Sequence, residues 1–294
     1  MTNKQLIVSG LFVKMLCFLM IPFLNRLMQL ELGEDLFDIK QGVGSSGSFS
    51  MKTENLGSEY QFTYNFRDQQ GNPTTWKWTY DKNKIDELGS QFGVPLDFYE
   101  PYIVTDEVLA EREKIMKESL FHEDGDYILP HYPAIVNAHK DFGKKIYDLA
   151  EAHLGDKAAF HSRIELIMRF CQDITYRIPP QKWNGKIISG IFPPSISLKE
   201  GWGDCDTKAM ILSSILANNP NYKIIAVTVP GHLFLAVKGV PQAYQNTVSY
   251  KGEEYIICEP VGPARLELGK KSVYASAPVK RIDEVTGEST GSVQ

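Results

Sequence analysis

Apolar positions change period several times along this chain, and each change marks a predicted element. Cys205, Ala209, Leu212 and Leu216 recur at helical spacing, which predicts a helix from Asp204 to Asn218 with Asp204 as its N-cap. Lys223–Val229 is nearly continuous apolar sequence and suits a buried strand. His232–Lys238 and Glu253–Glu259 read as two more strands, with Gly239–Gly252 joining them as a long hairpin connection. Upstream, Ile135, Ala138, Phe142, Ile146 and Leu149 form one helical stripe, and Phe160, Ile164, Ile167, Met168 and Cys171 form another. Tyr60–Phe66 and Thr74–Tyr80 alternate aromatic and polar residues around the turn-forming Asp68–Pro73. They read as two strands whose aromatic face belongs to the core rather than to a glycan or peptide platform. Asp81–Phe92 and Asp106–Leu120 read as helices, and Phe121–Pro133 as a loop.

The first residues break this alternation. Gln5–Leu24 is almost wholly apolar, interrupted by Ser9, Gly10 and Lys14. Its length suits a bilayer core, although a central Lys costs roughly 2.5–3.5 kcal/mol on insertion scales. A signal peptide with its apolar run at Met15–Leu24 fits equally, and export or membrane anchoring is the expectation over a buried or amphipathic N-terminal helix. Gly42–Gly47 matches GxGxxG, but no helical pattern follows it, so it reads as a connector. The predicted organisation is an apolar anchor or signal over 1–27, an N-terminal accessory region over 28–130, a catalytic domain over 131–285 and a disordered tail over 286–294.

Chemistry concentrates at three points. Cys205 falls at the first turn of its helix, where unpaired N–H groups and the dipole favour thiolate over thiol. A free Cys titrates at ~8.5, and such a position beside a His cation can lower it to roughly 3.5–7.5. His232 opens a strand directly after Pro230-Gly231, and Glu259 closes the next. In an antiparallel pair the start of one strand lies beside the end of its neighbour, which places His232 opposite or diagonal to Glu259. Alternation puts Glu259 on the face of Ile257 and Tyr255, away from Cys258. The helix is then expected to pack on the Glu259 face to bring Cys205 to His232. Nucleophile, base and orienting acid are the parts of a thiol acyl-transfer site, with the Cys205 N–H as one oxyanion donor. The other cysteines are Cys17 in the apolar segment, Cys171 on a core stripe, and Cys258; a Cys171–Cys258 bridge stays open.

Gly203-Asp204-Cys205-Asp206-Thr207-Lys208-Ala209, Gly231-His232-Leu233-Phe234-Leu235-Ala236-Val237 and Cys258-Glu259-Pro260 together resemble the transglutaminase-like superfamily of papain-type cysteine enzymes, especially its bacterial members. Phe170–Tyr176 looks like the helix end and Tyr that precede the active-site segment there. The resemblance runs from about Ile135 to about Leu268. It implies an α+β fold, with helices packed on an antiparallel sheet in a papain-like core, plus the N-terminal β-containing accessory region. It also implies Cys205 as nucleophile, His232 as general base and Glu259 as third member, where the family usually carries Asp. A second oxyanion donor would be Gln172 or Trp183, since related enzymes use an upstream Gln or Trp. The implied activity is cysteine protease or amidase chemistry, or acyl transfer, on a protein or peptide. The alternative is a non-catalytic domain of the cell envelope that keeps the fold. Pro179–Ser197, just before Gly201–Cys205, suits a wall of the substrate cleft or a structural loop.

Composition narrows the partners. An apolar content of 43% suits a globular protein, and a net charge of −5 without a long basic run argues against nucleic acid. Six His without HExxH spacing, and no CxxC, give no support for a metal, and no cofactor motif stands out.

Overall fold

The computed structural model describes residues 50–68, 71–100, 105–125, 127–155, 158–262 and 265–286. The apolar segment Gln5–Leu24, the connector Gly42–Gly47 and all of the tail after Thr286 lie outside them. No helix among the described residues is long and apolar enough to cross a membrane.

The aromatic strands are there, with a third beside them. β1 (Ser50–Asn55), β2 (Glu59–Arg67) and β3 (Pro73–Asp81) form an antiparallel meander in that order. β1 carries only Met51 as a large apolar residue, so its sequence holds no strand signal of its own. Phe62 faces Trp78 and Tyr64 faces Trp76 across the pair, and all four are buried. Helices α1 (Lys82–Gln91) and α2 (Asp106–Ser119) follow, capped by Asp81 and Thr105. The expected loop after them is instead a hairpin of β4 (Phe121–Asp124) and β5 (Tyr127–Pro130). Its strands are too short for alternation to show against their His, Asp and Pro content.

α3 (Tyr132–Leu154) and α4 (Phe160–Asp173) receive the aromatic face. Phe142 of α3 meets Phe62 at 5.7 Å and Tyr80 at 4.9 Å, and Phe170 of α4 meets Tyr64 at 5.0 Å. That face is core, as its alternation suggested. It joins a single apolar cluster running through both helices into the sheet beyond.

α5 (Pro194–Glu200) leads to α6 (Cys205–Leu216), in which every residue from Thr207 to Leu216 is buried. A helix enclosed on all sides lies in the middle of its fold. Five antiparallel strands form the main sheet: β6 (Ile224–Val229), β7 (His232–Lys238), β8 (Thr247–Tyr250), β9 (Glu253–Cys258) and β10 (Arg281–Glu284), in the order β8-β9-β7-β6-β10. The connection expected over Gly239–Gly252 therefore contains a strand. β8 turns tightly into β9 through Lys251 and Gly252, both at positive φ. The fold is a mixed α+β arrangement with antiparallel sheets.

One contact limits how α3 can change. A Cβ on Gly143 would lie 2.4 Å from the Ser214 carbonyl oxygen of α6. Two backbones meet there, and neither can move aside like a side chain. Gly143→Ala is expected to lower stability by about 1–3 kcal/mol, the usual range for overpacking, measured by urea denaturation. A gain in stability, as helix propensity alone predicts, would show that the helices separate easily.

Candidate active site

The turn that delivers Cys205 is fixed before the helix begins. Thr175–Tyr176 pairs in parallel with Trp202–Gly203, and the Arg177 N–H donates to the Gly203 carbonyl at 3.2 Å. A Cβ on Gly203 would sit 2.9 Å from both Ser197 Oγ and Thr207 Cγ2, so only glycine fits without displacing them. Asp204 is extended and its carboxylate accepts from the Thr207 N–H at 3.0 Å, a side-chain N-cap. Thr207 is held from the other side, its Oγ1 accepting from the Phe192 N–H at 3.0 Å. Cys205 is thus the first helical residue, as the spacing predicted, and it is half-buried.

His232 and Glu259 come from neighbouring strands. Leu235 lies opposite Cys258 and Ala236 opposite Ile257, so continuing that register places Glu259 diagonal to His232. A Glu side chain bridges the diagonal, and Oε2 lies 2.8 Å from His232 Nε2. The other carboxylate oxygen accepts from the Val261 N–H at 3.4 Å. Both residues are buried, which demands such partners for the carboxylate. With Nε2 engaged by Glu259, Nδ1 is the ring nitrogen left to exchange a proton.

The helix does not pack where it was expected. Ile257, Tyr255 and Phe234, on the face of His232 and Glu259, belong to a second, smaller cluster with Ala275 of the 3-10 turn Tyr274–Ser276. α6 packs on the opposite face, against the cluster of Leu233, Leu235, Val237 and Cys258. The thiol comes near β7 at its end, where the Leu233 backbone N–H, one residue past His232, favours the sulfur's charge.

The charge state of Cys205 also departs from the expectation. Its Sγ donates to Asp206 Oδ1 at 3.3 Å. Burial first, then the carboxylates of Asp206 and Asp204, push the thiol well above its ordinary value. Both carboxyls are themselves raised by burial. A helix N-terminus contributes up to ~2 kcal/mol, whereas burial and a like charge each move a buried group by one to several pH units. The second pair of effects wins, and the resting sulfur is a thiol. Asp206→Asn removes one of the opposing charges. Alkylation of Cys205 by iodoacetamide should then set in about one pH unit lower, close to a tenfold gain at fixed pH below the midpoint. An unchanged profile would mean that the carboxylate does not act on the sulfur.

Tyr132, Tyr176, Tyr274 and Arg281 complete the surroundings, and sequence reasoning assigned them no role beside Cys205 and His232. Burial raises Tyr176, with Cys205 and Asp204 adding to the effect, and burial raises Tyr132, with Asp206 adding. Tyr274 lies 5.9 Å from the His232 ring, and the Arg281 guanidinium stands over Tyr132 at 5.7 Å. Only Tyr176 carried a signal, in the Phe170–Tyr176 stretch. Tyr274 and Arg281 arrive on a C-terminal segment without periodic pattern.

Of the two residues named for the second oxyanion donor, Gln172 is committed elsewhere and Trp183 is held by ring packing. Gln172 Nε2 donates to the carbonyls of Glu259 at 2.8 Å and Leu266 at 2.9 Å, so neither amide hydrogen is left for an oxyanion. Trp183 packs edge-on against Phe192 at 5.1 Å, and Phe192 stacks on Trp202 at 4.7 Å. This aromatic layer backs the Trp202–Cys205 turn. Cys171 and Cys258 are buried free thiols, not a bridge, and burial raises both. No group of three His, Cys, Asp or Glu among the described residues is arranged to hold a metal ion.

No family model, curated protein or solved structure matches the chain.

Proposed function

We propose that this protein is a cysteine-dependent amide hydrolase or acyltransferase working through a thioester on Cys205, with a protein or peptide as substrate. The observation that carries the reading is the buried 2.8 Å contact of His232 Nε2 with Glu259, at the strand end where the Leu233 N–H comes near the Cys205 sulfur. With the sulfur resting as thiol, attack on the amide carbonyl is concerted with proton loss. Sγ bonds to the carbonyl carbon, its proton passes to His232 Nδ1, and Glu259 stabilises the imidazolium. Collapse of the tetrahedral adduct breaks the C–N bond, and His232 returns the proton to the leaving amine. Water, or a second amine, then attacks the thioester and frees the thiol. The Cys205 backbone N–H is one donor to the oxyanion. The sequence resemblance to transglutaminase-like enzymes favours the same chemistry, and the N-terminal apolar segment fits an exported or membrane-anchored enzyme.

The carboxylates beside the thiol favour a second reading, a transglutaminase-like domain that binds without catalysis. An activated ester separates the two. With p-nitrophenyl acetate, the enzyme reading expects a burst of nitrophenol and an acetyl adduct on Cys205. Cys205→Ala loses both, and His232→Ala slows both. Turnover in water, compared with turnover in added cadaverine, then separates hydrolysis from amine transfer. No burst and no adduct at any pH up to 9 would favour the binding domain.

A further inference from the structure

Glu259 lies just past the end of β9, where ladder hydrogen bonds no longer fix the backbone, yet its carboxylate must stay within hydrogen-bond reach of His232. The grip comes from the end of α4. Gln172 donates one amide hydrogen to the Glu259 carbonyl at 2.8 Å and the other to the Leu266 carbonyl at 2.9 Å. Between them, Gly262 passes so near the Gln172 backbone that a Cβ there would lie 2.0 Å from the Gln172 carbonyl oxygen. The next residue holds the far end. Asp173 Oδ1 accepts from Arg265 Nε at 2.8 Å, and Asp173 Oδ2 accepts from the hydroxyl of Tyr64 on β2. Gln172, Asp173 and Tyr64 are all buried. Arg265 borders a surface cavity of about 220 Å³ together with Arg169, Glu165 and Glu267.

We infer that Gln172 is a positioning residue for Glu259, and that the Tyr64–Asp173–Arg265 contacts make the N-terminal aromatic sheet part of that support. This rests on the reading of His232 and Glu259 as base and orienting acid. The physical argument is that a carboxylate acting through one hydrogen bond is only as well placed as its own backbone, and that backbone is held by a side chain from another element. A merely structural Gln172 would stabilise the fold without affecting the His232–Glu259 bond.

The test uses the full-length chain labelled with 15N-histidine, and reads the imidazole N–H protons by NMR. A neutral His232 donating to a buried carboxylate should give a low-field, slowly exchanging Nε2–H resonance, assigned by its loss in Glu259→Ala. In Gln172→Met, that resonance should move upfield as the bond to Glu259 weakens, and its exchange with water should speed up about tenfold or more beyond what the loss of stability accounts for. Arg265→Gln should act in the same direction, more weakly, because a glutamine amide can still donate a hydrogen bond to the buried Asp173 carboxylate. If Gln172→Met only lowers Tm and leaves the resonance and its exchange as in wild type, the inference is overturned. If Gln172→Met does not fold, Arg265→Gln decides, and unchanged exchange there overturns it. If Glu259→Ala alters no imidazole resonance, the His232–Glu259 bond does not exist in solution, and both the inference and the catalytic reading fall. If the resonance behaves as expected but Cys205 forms no acyl adduct, the positioning role stands and the amide chemistry alone is lost.

Discussion

Glu259→Gln is expected to slow acylation of Cys205 by about 10,000-fold while the protein still folds. The size follows from the 2.8 Å contact of Oε2 with His232 Nε2. Glutamate accepts the Nε2 proton and leaves Nδ1 with a lone pair for the thiol. A glutamine can turn its amide nitrogen to the ring, which selects the other tautomer and removes the base, and it cannot stabilise an imidazolium. Glu259→Asp should be nearly as damaging. The backbone is held on both sides, with Cys258 opposite Leu235 before Glu259 and Gln172 on the Glu259 carbonyl itself, and Glu259 reaches His232 along the diagonal. Loss of one methylene withdraws the carboxylate by about 1.3 Å, beyond hydrogen-bond range of Nε2. Both variants are read from the p-nitrophenyl acetate burst, with circular dichroism melts as the control for folding. Wild-type rates in Glu259→Asp would show that the segment after β9 shifts to follow the shorter arm. Wild-type rates in Glu259→Gln would show that another group orients His232.

The parts of this site that could be read in the sequence are those fixed by local rules. Asp204 before a helical stripe places Cys205 at a helix start, and the order strand, Pro-Gly, strand places His232 at a hairpin bend. The side of the sheet on which α6 packs was not readable. His232–Lys238 is apolar on both faces, because both faces are covered, so alternation cannot say which one the helix takes. The state of the thiol was misjudged for a different reason. Asp204 and Asp206 were in plain view, but their effect depends on how deeply they are buried, and that is a tertiary fact. Gln172 illustrates a third limit. A glutamine on an apolar helix shows neither which carbonyls its amide will reach nor that they lie 87 and 94 residues away. The strand β1 was missed because its neighbours, not its own side chains, make it a strand.

Acid should weaken the fold through His139, and the expected loss is about 3 kcal/mol. His139 is wholly buried in α3, its Nδ1 2.8 Å from the Ile135 carbonyl, and its Nε2 has no hydrogen-bond partner among the described residues. Burial pushes it down to about 4 from an ordinary 6.5. The unfolded chain therefore binds a proton at pH 5 that the native protein refuses, and stability rises with pH wherever the unfolded state holds more protons. The contribution is complete above pH 6.5 and falls away as the pH drops towards 4. The gap between those values corresponds to about 3 kcal/mol, a large share of the 5–15 kcal/mol typical of a folded domain. Asp173, Asp204 and Asp206, all raised by burial, slope the other way, since the native state holds their protons longer. Comparison with a variant that cannot titrate separates the two trends. His139→Met keeps an apolar side chain of similar bulk and should flatten the fall between pH 6.5 and 4, whatever it does to stability at pH 7. Urea denaturation at half-unit steps of pH, on wild type and variant side by side, measures the difference. Parallel curves would mean that His139 finds a partner for its proton inside the fold, and that the buried histidine costs nothing in acid.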